Sequence, residues 1–249
     1  MRVLVLGHSD SDGKMLPDRS LAWPRLLEHE LAARFETPSE VAHRRVLPLR
    51  SDVLQSVETT LRDLEPEVVI LSLNPYGFAI QLVSLKIEQQ FGPRAGRIYK
   101  RVEEGFDRLT RERFLLGGLN SVARRLGRRL LGVASLASYD AVVESYSAIV
   151  HRLAREENLQ VIVIGGSRLS DEIQRLNPGM VEKVDQFASE LRQVTETHRL
   201  TWFNTEASVA GRDRASLFFP DGVHRTPEAH RRLADMLLPI VAAALSAHG

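Results

Sequence analysis

A polar segment near the N-terminus combines residue types that serve in proteins as nucleophiles, bases and cation ligands. It reads Gly-His-Ser-Asp-Ser-Asp-Gly over residues 7–13 and directly follows the largely apolar residues 1–6. A nucleophile loop, a cation site, a phosphate-binding loop and an ordinary turn after a strand are all compatible with these residue types. The segment alone does not decide among the four, so residues elsewhere in the chain must.

Phosphate binding and cation binding have little support. Polar side chains stand where the middle glycine of G-x-G-x-x-G belongs, and the chain has no G-K-[ST] that would complete a P-loop. Asp10 and Asp12 lack the further acidic residues and the terminal glutamate of an EF-hand loop. The chain has no cysteine, which excludes thiolate ligands, a cysteine nucleophile and disulfides. We therefore expect no metal and no cofactor.

Two distant segments favour a serine nucleophile. Asp221 and His224 lie three residues apart, just before a predicted final helix. Across a turn, this spacing lets the carboxylate accept the imidazole Nδ1–H, which leaves Nε2 to take a proton from a hydroxyl group. Asn74 follows the third predicted strand, where a side-chain amide can stabilise an oxyanion. Together these residues predict a serine hydrolase with Ser9, rather than Ser11, as nucleophile.

The elements that must position these residues alternate along the chain, which predicts a parallel sheet with helices on both faces. The predicted strands cover residues 2–7, 41–49, 67–74, 159–166 and 200–205. The predicted helices cover residues 21–35, 52–64, 139–157, 181–198 and 227–245, with Ser51 as N-cap of the second. Ligands bind beyond the carboxyl ends of such strands, and the polar segment lies at that edge.

One segment interrupts the alternation. Residues 75–138 contain no predicted strand, but 78–92 and 118–132 have helical periodicity. Residues 94–131 carry a net charge of +7, against −6 for the rest of the chain, and arginines lie mostly opposite an apolar stripe in 118–132. We expect one domain over residues 1–249 with a helical cap-like insertion at about 76–137. A solvated face on a packed helical hairpin, a lid and a docking surface all remain open for it.

These motifs resemble those of the SGNH hydrolase superfamily, the GDSL-type esterases and lipases. The first block of that family, G-D-S-x-[ST]-x-G, corresponds to residues 7–13, and its last block, D-x-x-H before a helix, corresponds to residues 221–224. The third block, G-x-N-D, is matched in part by Ser-Leu-Asn-Pro at 72–75, and Trp23-Pro24 before a leucine run is a further similarity. The resemblance covers the whole chain except the insertion.

The resemblance implies an α/β fold, namely a three-layer α/β/α sandwich on a flavodoxin-like five-stranded parallel sheet, with a helical insertion after the third strand. It implies that Ser9 attacks a carbonyl carbon, that His224 acts as base and then as acid, and that Asp221 orients His224. The Ser9 backbone N–H and the Asn74 side chain would hold the oxyanion. The glycine of the family's second block is missing, so a third donor would be a backbone N–H near Ser51.

Several other polar residues receive ordinary roles. His8 replaces the family's aspartate and is expected to be a hydrogen-bonded neighbour of the nucleophile rather than a second base. Asp10, Ser11 and Asp12 are expected to serve the loop and the start of the next helix. The remaining histidines have no carboxylate at a useful spacing and are expected on the surface or on helix faces: His29, His43, His151, His198, His230 and His248.

The expected function is metal-free hydrolysis of carboxylic esters through an acyl-serine intermediate. Alternatives are an acyltransferase or carbohydrate deacetylase with the same triad, and a degenerate hydrolase that binds anionic surfaces. The expected partner is a small-molecule ester, lipid-like or anionic, and a homo-oligomer formed through the insertion is a further expectation. Nucleic acid is not expected, because few aromatic residues accompany the arginines. No signal peptide or transmembrane segment is recognised, so a cytoplasmic location is expected.

Overall fold

Five parallel strands form the centre of the molecule. The computed structural model describes residues 1–101, 130 and 132–248. The strands are β1 (Arg2–Gly7), β2 (Glu40–Arg45), β3 (Val68–Ser72), β4 (Gln160–Ile164) and β5 (Thr201–Phe203). They are arranged in the order β2-β1-β3-β4-β5, and every neighbouring pair is parallel. This is the predicted flavodoxin-like order.

The pairing of β1 with β3 places Ser9 and Asn74 at one edge of the sheet. Leu6 near the end of β1 pairs with Leu71 near the end of β3, so the carboxyl ends of these two neighbouring strands are level. Ser9 follows β1 by two residues, and Asn74 follows β3 by two residues. Both therefore lie beyond the same edge, as ligand-binding residues of open parallel sheets do.

Helices cover both faces of the sheet, which confirms the predicted three-layer α/β/α fold. The helices of the unit that holds the sheet are α1 (Trp23–Phe35), α2 (Val53–Leu64), α5 (Tyr139–Leu153), α6 (Asp171–Leu176), α7 (Met180–Thr197) and α8 (Pro227–His248). Two further helices, α3 (Tyr76–Ala79) and α4 (Val83–Phe91), lie between β3 and α5 in the sequence. Short 3₁₀ helices cover Arg19–Leu21, Thr205–Val209 and Arg214–Leu217. Helices α1 and α8 pack together on one face, whereas α2, α5 and α7 pack in sequence on the other.

The apolar residues of the strands explain why both faces of the sheet are buried. Residues Val3–Leu6 of β1 are at most 1% exposed. Because side chains alternate along a strand, Val3 and Val5 point to the α1/α8 side, where they join one core cluster, and the two leucines point to the other. Strand β3 is buried at all five positions in the same way. A continuous Val/Ile/Leu run is therefore the correct signature of these strands.

Helix α8 packs one apolar side into the core. Leu233, Leu237, Val241 and Leu245 recur every four residues and are nearly inaccessible to solvent. The helix continues through Pro239 to His248, three residues beyond its predicted end. Within the residues that the structure describes, none of the helices is both long and apolar enough to cross a membrane.

Two predicted boundaries differ from the structure around the β2–α2 connection. Strand β2 ends at Arg45 instead of residue 49, and Leu47 and Leu49 are half-exposed in the following turn. Helix α2 begins at Val53, so the cap position belongs to Asp52 and not to Ser51. The Asp52 side chain makes no cap hydrogen bond, and its two oxygens accept hydrogen bonds from the Arg50 guanidinium.

The chain divides into two compact units, residues 1–75 with 139–249, and residues Tyr76–Ser138. In the second unit, the helix predicted over residues 78–92 is two helices, α3 and α4. They are separated where Leu82 forms an antiparallel bridge with Ala134, whose backbone exchanges both hydrogen bonds with it. Most of the arginine-bearing helix predicted over residues 118–132 lies outside the described residues. The cap role of this unit stays a prediction.

Candidate active site

Ser9, His224 and Asp221 form a continuous hydrogen-bonded chain. The Ser9 hydroxyl oxygen lies 3.2 Å from His224 Nε2, and His224 Nδ1 lies 2.6 Å from Asp221 Oδ2. The ionised carboxylate only accepts, so Nδ1 carries the proton and Nε2 of the neutral ring accepts from Ser9. Ser9 and His224 are 215 positions apart in sequence. The structure thus brings together the three residues that the sequence analysis assigned to the triad.

The loop between Asp221 and His224 fixes the carboxylate. Asp221 Oδ1 accepts hydrogen bonds of 3.0 Å from the backbone N–H groups of Val223 and His224. Partial burial raises the pKa of Asp221, but hydrogen bonds from the His224 ring and from the two backbone N–H groups outweigh it and hold this pKa below its ordinary value. Asp221 therefore remains charged at neutral pH, as a group that stabilises an imidazolium must.

Gly222 is required at the centre of this loop. Its φ of +69° belongs to the left-handed region, which residues with a Cβ rarely adopt. A Cβ at this position would also lie 2.3 Å from Ser170 Oγ and 2.6 Å from Ile173 Cγ1. Ser170 is the N-cap of α6 and donates its own backbone N–H to the Gly222 carbonyl. The loop that carries the histidine is therefore docked against the start of α6.

The residues that follow β1, 8–13, form a loop held by the second serine, and we call it the β1 loop. The Ser11 hydroxyl donates to the His8 carbonyl and accepts the His8 backbone N–H, both at 2.8 Å, and it lies 3.0 Å from His43 Nε2. These three partners use its one proton and both its lone pairs. Ser11 is buried, whereas Ser9 is only partly buried. Gly7 lies under Ser11, since a Cβ there would be 2.1 Å from Ser11 Oγ.

The predicted oxyanion donors differ in placement. Asn74 is half-buried just beyond β3, and its backbone N–H donates to the hydroxyl of buried Tyr146 at 3.1 Å, which fixes the backbone there. The Ser9 backbone N–H has no acceptor among the described residues. Ser51 is exposed in the turn before α2, and no hydrogen bond within the described residues joins it to Ser9. The third donor therefore stays a prediction.

Asp10 and Arg225 are functional candidates that the sequence analysis missed. Both are almost fully buried, and the Arg225 guanidinium pairs with Asp10 Oδ2. The Arg225 backbone N–H donates to Asp10 Oδ1 at 3.0 Å, and its Nη2 donates to Ser167 Oγ at 2.6 Å. Burial raises the pKa of Asp10, but electrostatic interactions with Arg225, His230 and His8 lower it by more than burial raises it. The pKa of Asp10 therefore lies far below its ordinary value. The expectation of a plain loop role for Asp10 is therefore wrong.

His8 and His230 lie in the same buried region. Burial lowers the pKa of each to about 4, so both rings are neutral at neutral pH. His8 Nε2 lies 3.4 Å from the hydroxyl of Ser72, as expected of a hydrogen-bonded neighbour. His230 Nδ1 accepts the Trp23 backbone N–H, which leaves the proton on Nε2, 3.8 Å from Asp10 Oδ1. His230 lies on a helix, α8, as expected, but it is fully buried, and its carboxylate neighbour Asp10 is distant in sequence.

No group of three or more potential metal ligands occurs among residues 1–101, 130 and 132–248. Ser9, His224 and Asp221 are of the residue types that act in nucleophilic and general acid–base catalysis. The parts of this site are a hydroxyl in contact with an imidazole, an ionised carboxylate on the far ring nitrogen, and a backbone N–H beside the hydroxyl. This set can transfer a proton from serine while the serine oxygen attacks an acyl carbon.

The structure is similar over nearly its whole length to several solved ester-cleaving enzymes. The lipase/acylhydrolase from Enterococcus faecalis has a TM-score of 0.62 and 12% identity, with 97% of this chain and 95% of the other covered. The psychrotrophic esterase EstA from Pseudoalteromonas sp. has a TM-score of 0.58 and 14% identity, with 98% of each chain covered. A carbohydrate acetylesterase family member from Sinorhizobium meliloti has a TM-score of 0.56 and 14% identity, with 98% and 99% covered.

Neither protein-family models nor curated protein sequences give a match to this chain. At 12–14% identity, the structural likeness establishes a shared fold. The chain therefore has the α/β/α architecture on which those proteins are built, and it has a Ser-His-Asp arrangement at the carboxyl edge of the sheet.

Proposed function

We propose that this chain is a member of the SGNH hydrolase superfamily and hydrolyses carboxylic esters through an acyl intermediate on Ser9. The observation that carries the proposal is the hydrogen-bonded chain from Ser9 through His224 to Asp221. These three residues form the contacts that acyl transfer requires, and they do so at the sheet edge where ligands bind. Their arrangement supports acyl transfer more strongly than any single sequence motif does. The ester-cleaving enzymes that share the fold add independent support.

In the acylation step, His224 Nε2 takes the Ser9 proton while the serine oxygen bonds to the carbonyl carbon. The ring then carries two protons, and the ionised Asp221 stabilises the resulting charge through Nδ1. The tetrahedral intermediate expels the alcohol, which receives the proton from His224 Nε2. Deacylation repeats the sequence with water in place of serine and restores the free enzyme.

The negative oxygen of the intermediate would be held by the Ser9 backbone N–H and by the Asn74 side chain. Ser9 and Asn74 follow neighbouring parallel strands whose ends are level, so both lie at one edge of the sheet. The hydrogen bond from the Asn74 backbone to Tyr146 limits its movement. Each preorganised donor of this kind contributes roughly 3–4 kcal/mol to stabilising the transition state. A backbone N–H near Ser51 is the proposed third donor.

Sugar acetyl esters are the second substrate class to consider. The same triad removes an acetyl group from a carbohydrate as readily as it cleaves a simple ester, and one protein of similar structure is a carbohydrate acetylesterase family member. The acceptor decides between hydrolysis and acyl transfer, since the acyl-serine can react with water or with a sugar hydroxyl. Product analysis with a competing alcohol separates these outcomes.

The test is a panel of p-nitrophenyl esters of increasing chain length, together with acetylated sugars. We expect Ser9→Ala and His224→Ala each to lower kcat/KM by roughly 10⁴-fold or more, because the members of a triad act as a unit. Ser56→Ala and His29→Ala are matched controls at exposed positions of α2 and α1, and both should retain wild-type rates. Wild-type turnover by Ser9→Ala would end the acyl-serine proposal.

A further inference from the structure

Each of the two reacting residues is followed directly by a buried charged residue. Asp10 follows Ser9 and is 2% exposed, and Arg225 follows His224 and is 4% exposed. None of the steps of acyl transfer uses either charge. Burial of a charged pair costs free energy that the mutual attraction often fails to recover, so such a pair is weak evidence for a purely stabilising role. Its placement beside the reacting residues needs another explanation.

The contacts of the pair join three separate segments. Asp10 uses both carboxylate oxygens on Arg225, one for the backbone N–H and one for the guanidinium. The far side of the same guanidinium donates to Ser167, which follows β4 by three residues. Arg225 therefore ties the loop of His224 to the β1 loop and to the end of β4. Planar guanidinium groups with several donors are suited to such fixed geometry, because fewer degrees of freedom are lost per hydrogen bond.

Asp10 and Arg225 are each only one residue away from a reacting residue, Ser9 and His224 respectively. Consecutive Cα atoms are about 3.8 Å apart, so fixing Asp10 against Arg225 fixes the backbones of Ser9 and His224 closely. The backbone bond from Arg225 to Asp10 is especially direct, since it does not depend on a rotatable arginine side chain. The 3.2 Å contact between Ser9 Oγ and His224 Nε2 lies immediately beside this connection.

We propose that Asp10, Arg225 and Ser167 form a charged clamp that positions His224 against Ser9. The inference rests on the proposed acyl-serine function and assigns to these three residues a positioning role that is distinct from the chemistry of the triad. A misplacement of about 1 Å can cost a reaction about 100-fold in rate, so a clamp of this kind matters to turnover more than to substrate binding.

Asp221 contacts the His224 ring, and Arg225, which follows His224 in the chain, pairs with Asp10. His8 and His230 are close enough to interact electrostatically with His224. Asp10→Asn leaves the Arg225 charge unbalanced, which disfavours a second positive charge on the His224 ring. Arg225→Gln leaves the Asp10 charge unbalanced, which favours that positive charge. The acid limb of the kcat/KM profile should therefore move in opposite directions in these two variants, by about half a pH unit or more.

Arg225→Lys separates geometry from charge. Lysine keeps the positive charge, but its single ammonium group cannot span both Asp10 and Ser167 in the arginine geometry. We expect kcat to fall at least about 10-fold with KM within about 3-fold of wild type, while the acid limb stays near its wild-type position. A group with only an electrostatic effect would give wild-type kcat in this variant.

The full set is Asp10→Asn, Arg225→Gln, the double variant, Arg225→Lys and Ser167→Ala. We expect kcat to fall about 100-fold in each neutralising single variant, and the double variant to be no worse than the poorer single one, because both remove the same clamp. Ser167→Ala keeps the ion pair, loses one hydrogen bond, and should cost about 3- to 10-fold in kcat. It serves as the decisive variant if the charge substitutions fail to fold.

Two controls report on stability and on charge in general. Asp185→Asn breaks an exposed ion pair with Arg168 and controls for the loss of a charge. Leu191→Ala removes a fully buried side chain of α7, so it lowers stability as the clamp variants do but leaves the clamp intact. Both should retain wild-type kcat below their melting temperature. Wild-type kcat in Arg225→Lys and Ser167→Ala, or a kcat loss in Leu191→Ala equal to theirs, overturns the clamp.

The NMR resonances of the His224 ring distinguish failure of the clamp from failure of the proposed function. They need no substrate, and a phosphonate that labels serine nucleophiles reports on Ser9 separately. If wild-type protein neither cleaves esters nor labels, the acyl-serine function fails. In that case, His224 ring resonances that are displaced in Arg225→Lys and Ser167→Ala but not in Leu191→Ala still support the clamp, and wild-type resonances in both variants overturn it.

Discussion

The two serines of the β1 loop differ in what their hydroxyl groups bind. Ser9 contacts His224, whereas the Ser11 hydroxyl is fully occupied by His8 and His43. Ser11→Ala should therefore keep phosphonate labelling at Ser9, which mass spectrometry of the intact protein and its peptides can locate. It should also lower the free energy of unfolding by about 1–3 kcal/mol, because the buried backbone N–H of His8 loses its acceptor. Labelling that disappears from folded Ser11→Ala would reverse the assignment of the two serines.

The residues predicted from sequence are those whose partners are implied by local spacing or by the end of a strand. Asp221 and His224 are three residues apart, and Ser9 and Asn74 each follow an apolar run. The clamp has no such signal, since Asp10 and Arg225 are 215 positions apart and a charged residue after a motif normally indicates a solvated loop. Only the packed fold shows that both charges are buried together.

At the scale of elements, the loop before α8 depends on a backbone conformation that only glycine adopts readily. Gly222→Ala forces a Cβ into the left-handed region and against Ser170 and Ile173. We expect a loss of about 2–4 kcal/mol in unfolding free energy and a lower kcat, because the start of α6 must move away from the loop of His224. Urea unfolding and ester turnover measure the two effects.

Gly179 provides the matched control for that substitution. It has a φ of +75°, but apart from its chain neighbours no atom of the described residues lies within 4 Å of the position a Cβ would take. Gly179→Ala should therefore cost only the backbone term of about 1 kcal/mol and leave kcat unchanged. Equal losses in the two variants would mean that crowding against α6 contributes nothing.

Element boundaries were predictable where an apolar pattern ends sharply, and less so where loops carry apolar residues. Helices α1 and α2 end at the predicted residues, and β1 has its predicted bounds. Strand β2 stops four residues early, since Leu47 and Leu49 continue the apolar pattern without entering the sheet. Helix α6 was not predicted, because six residues are too few for helical periodicity to be recognised.

At the scale of the whole molecule, the strand order β2-β1-β3-β4-β5 agrees with the flavodoxin-like sheet that the family resemblance implied. The distribution of buried titratable groups was not predicted. Strand and helix patterns specify which apolar faces meet, but they carry no information on which polar side chains end up between them. His8, Asp10, Arg225 and His230 are all enclosed beside the triad. The titration of the two histidines and of Asp10 makes the stability of the folded protein sensitive to acid.

The sign of that sensitivity follows from the two neutral histidines. Burial lowers the pKa of His8 and His230 from 6.5 to about 4, so between these values the unfolded chain binds more protons than the folded one. The stability is fully present above pH 6.5 and is lost as the pH falls toward 4, by about 2 kcal/mol per histidine at pH 5. Asp10, with its lowered pKa, extends the loss below pH 4.

Urea unfolding between pH 8 and pH 5 tests this directly, with His230→Gln as the informative variant. Glutamine does not titrate, and its side-chain oxygen can accept the Trp23 backbone N–H that His230 Nδ1 accepts. We expect the fall in unfolding free energy between pH 8 and pH 5 to be about 2 kcal/mol smaller in His230→Gln than in wild type, whereas exposed His29→Gln should match wild type. Parallel curves for all three proteins would show that His230 titrates normally in the folded state and that its burial beside Asp10 does not shape acid stability.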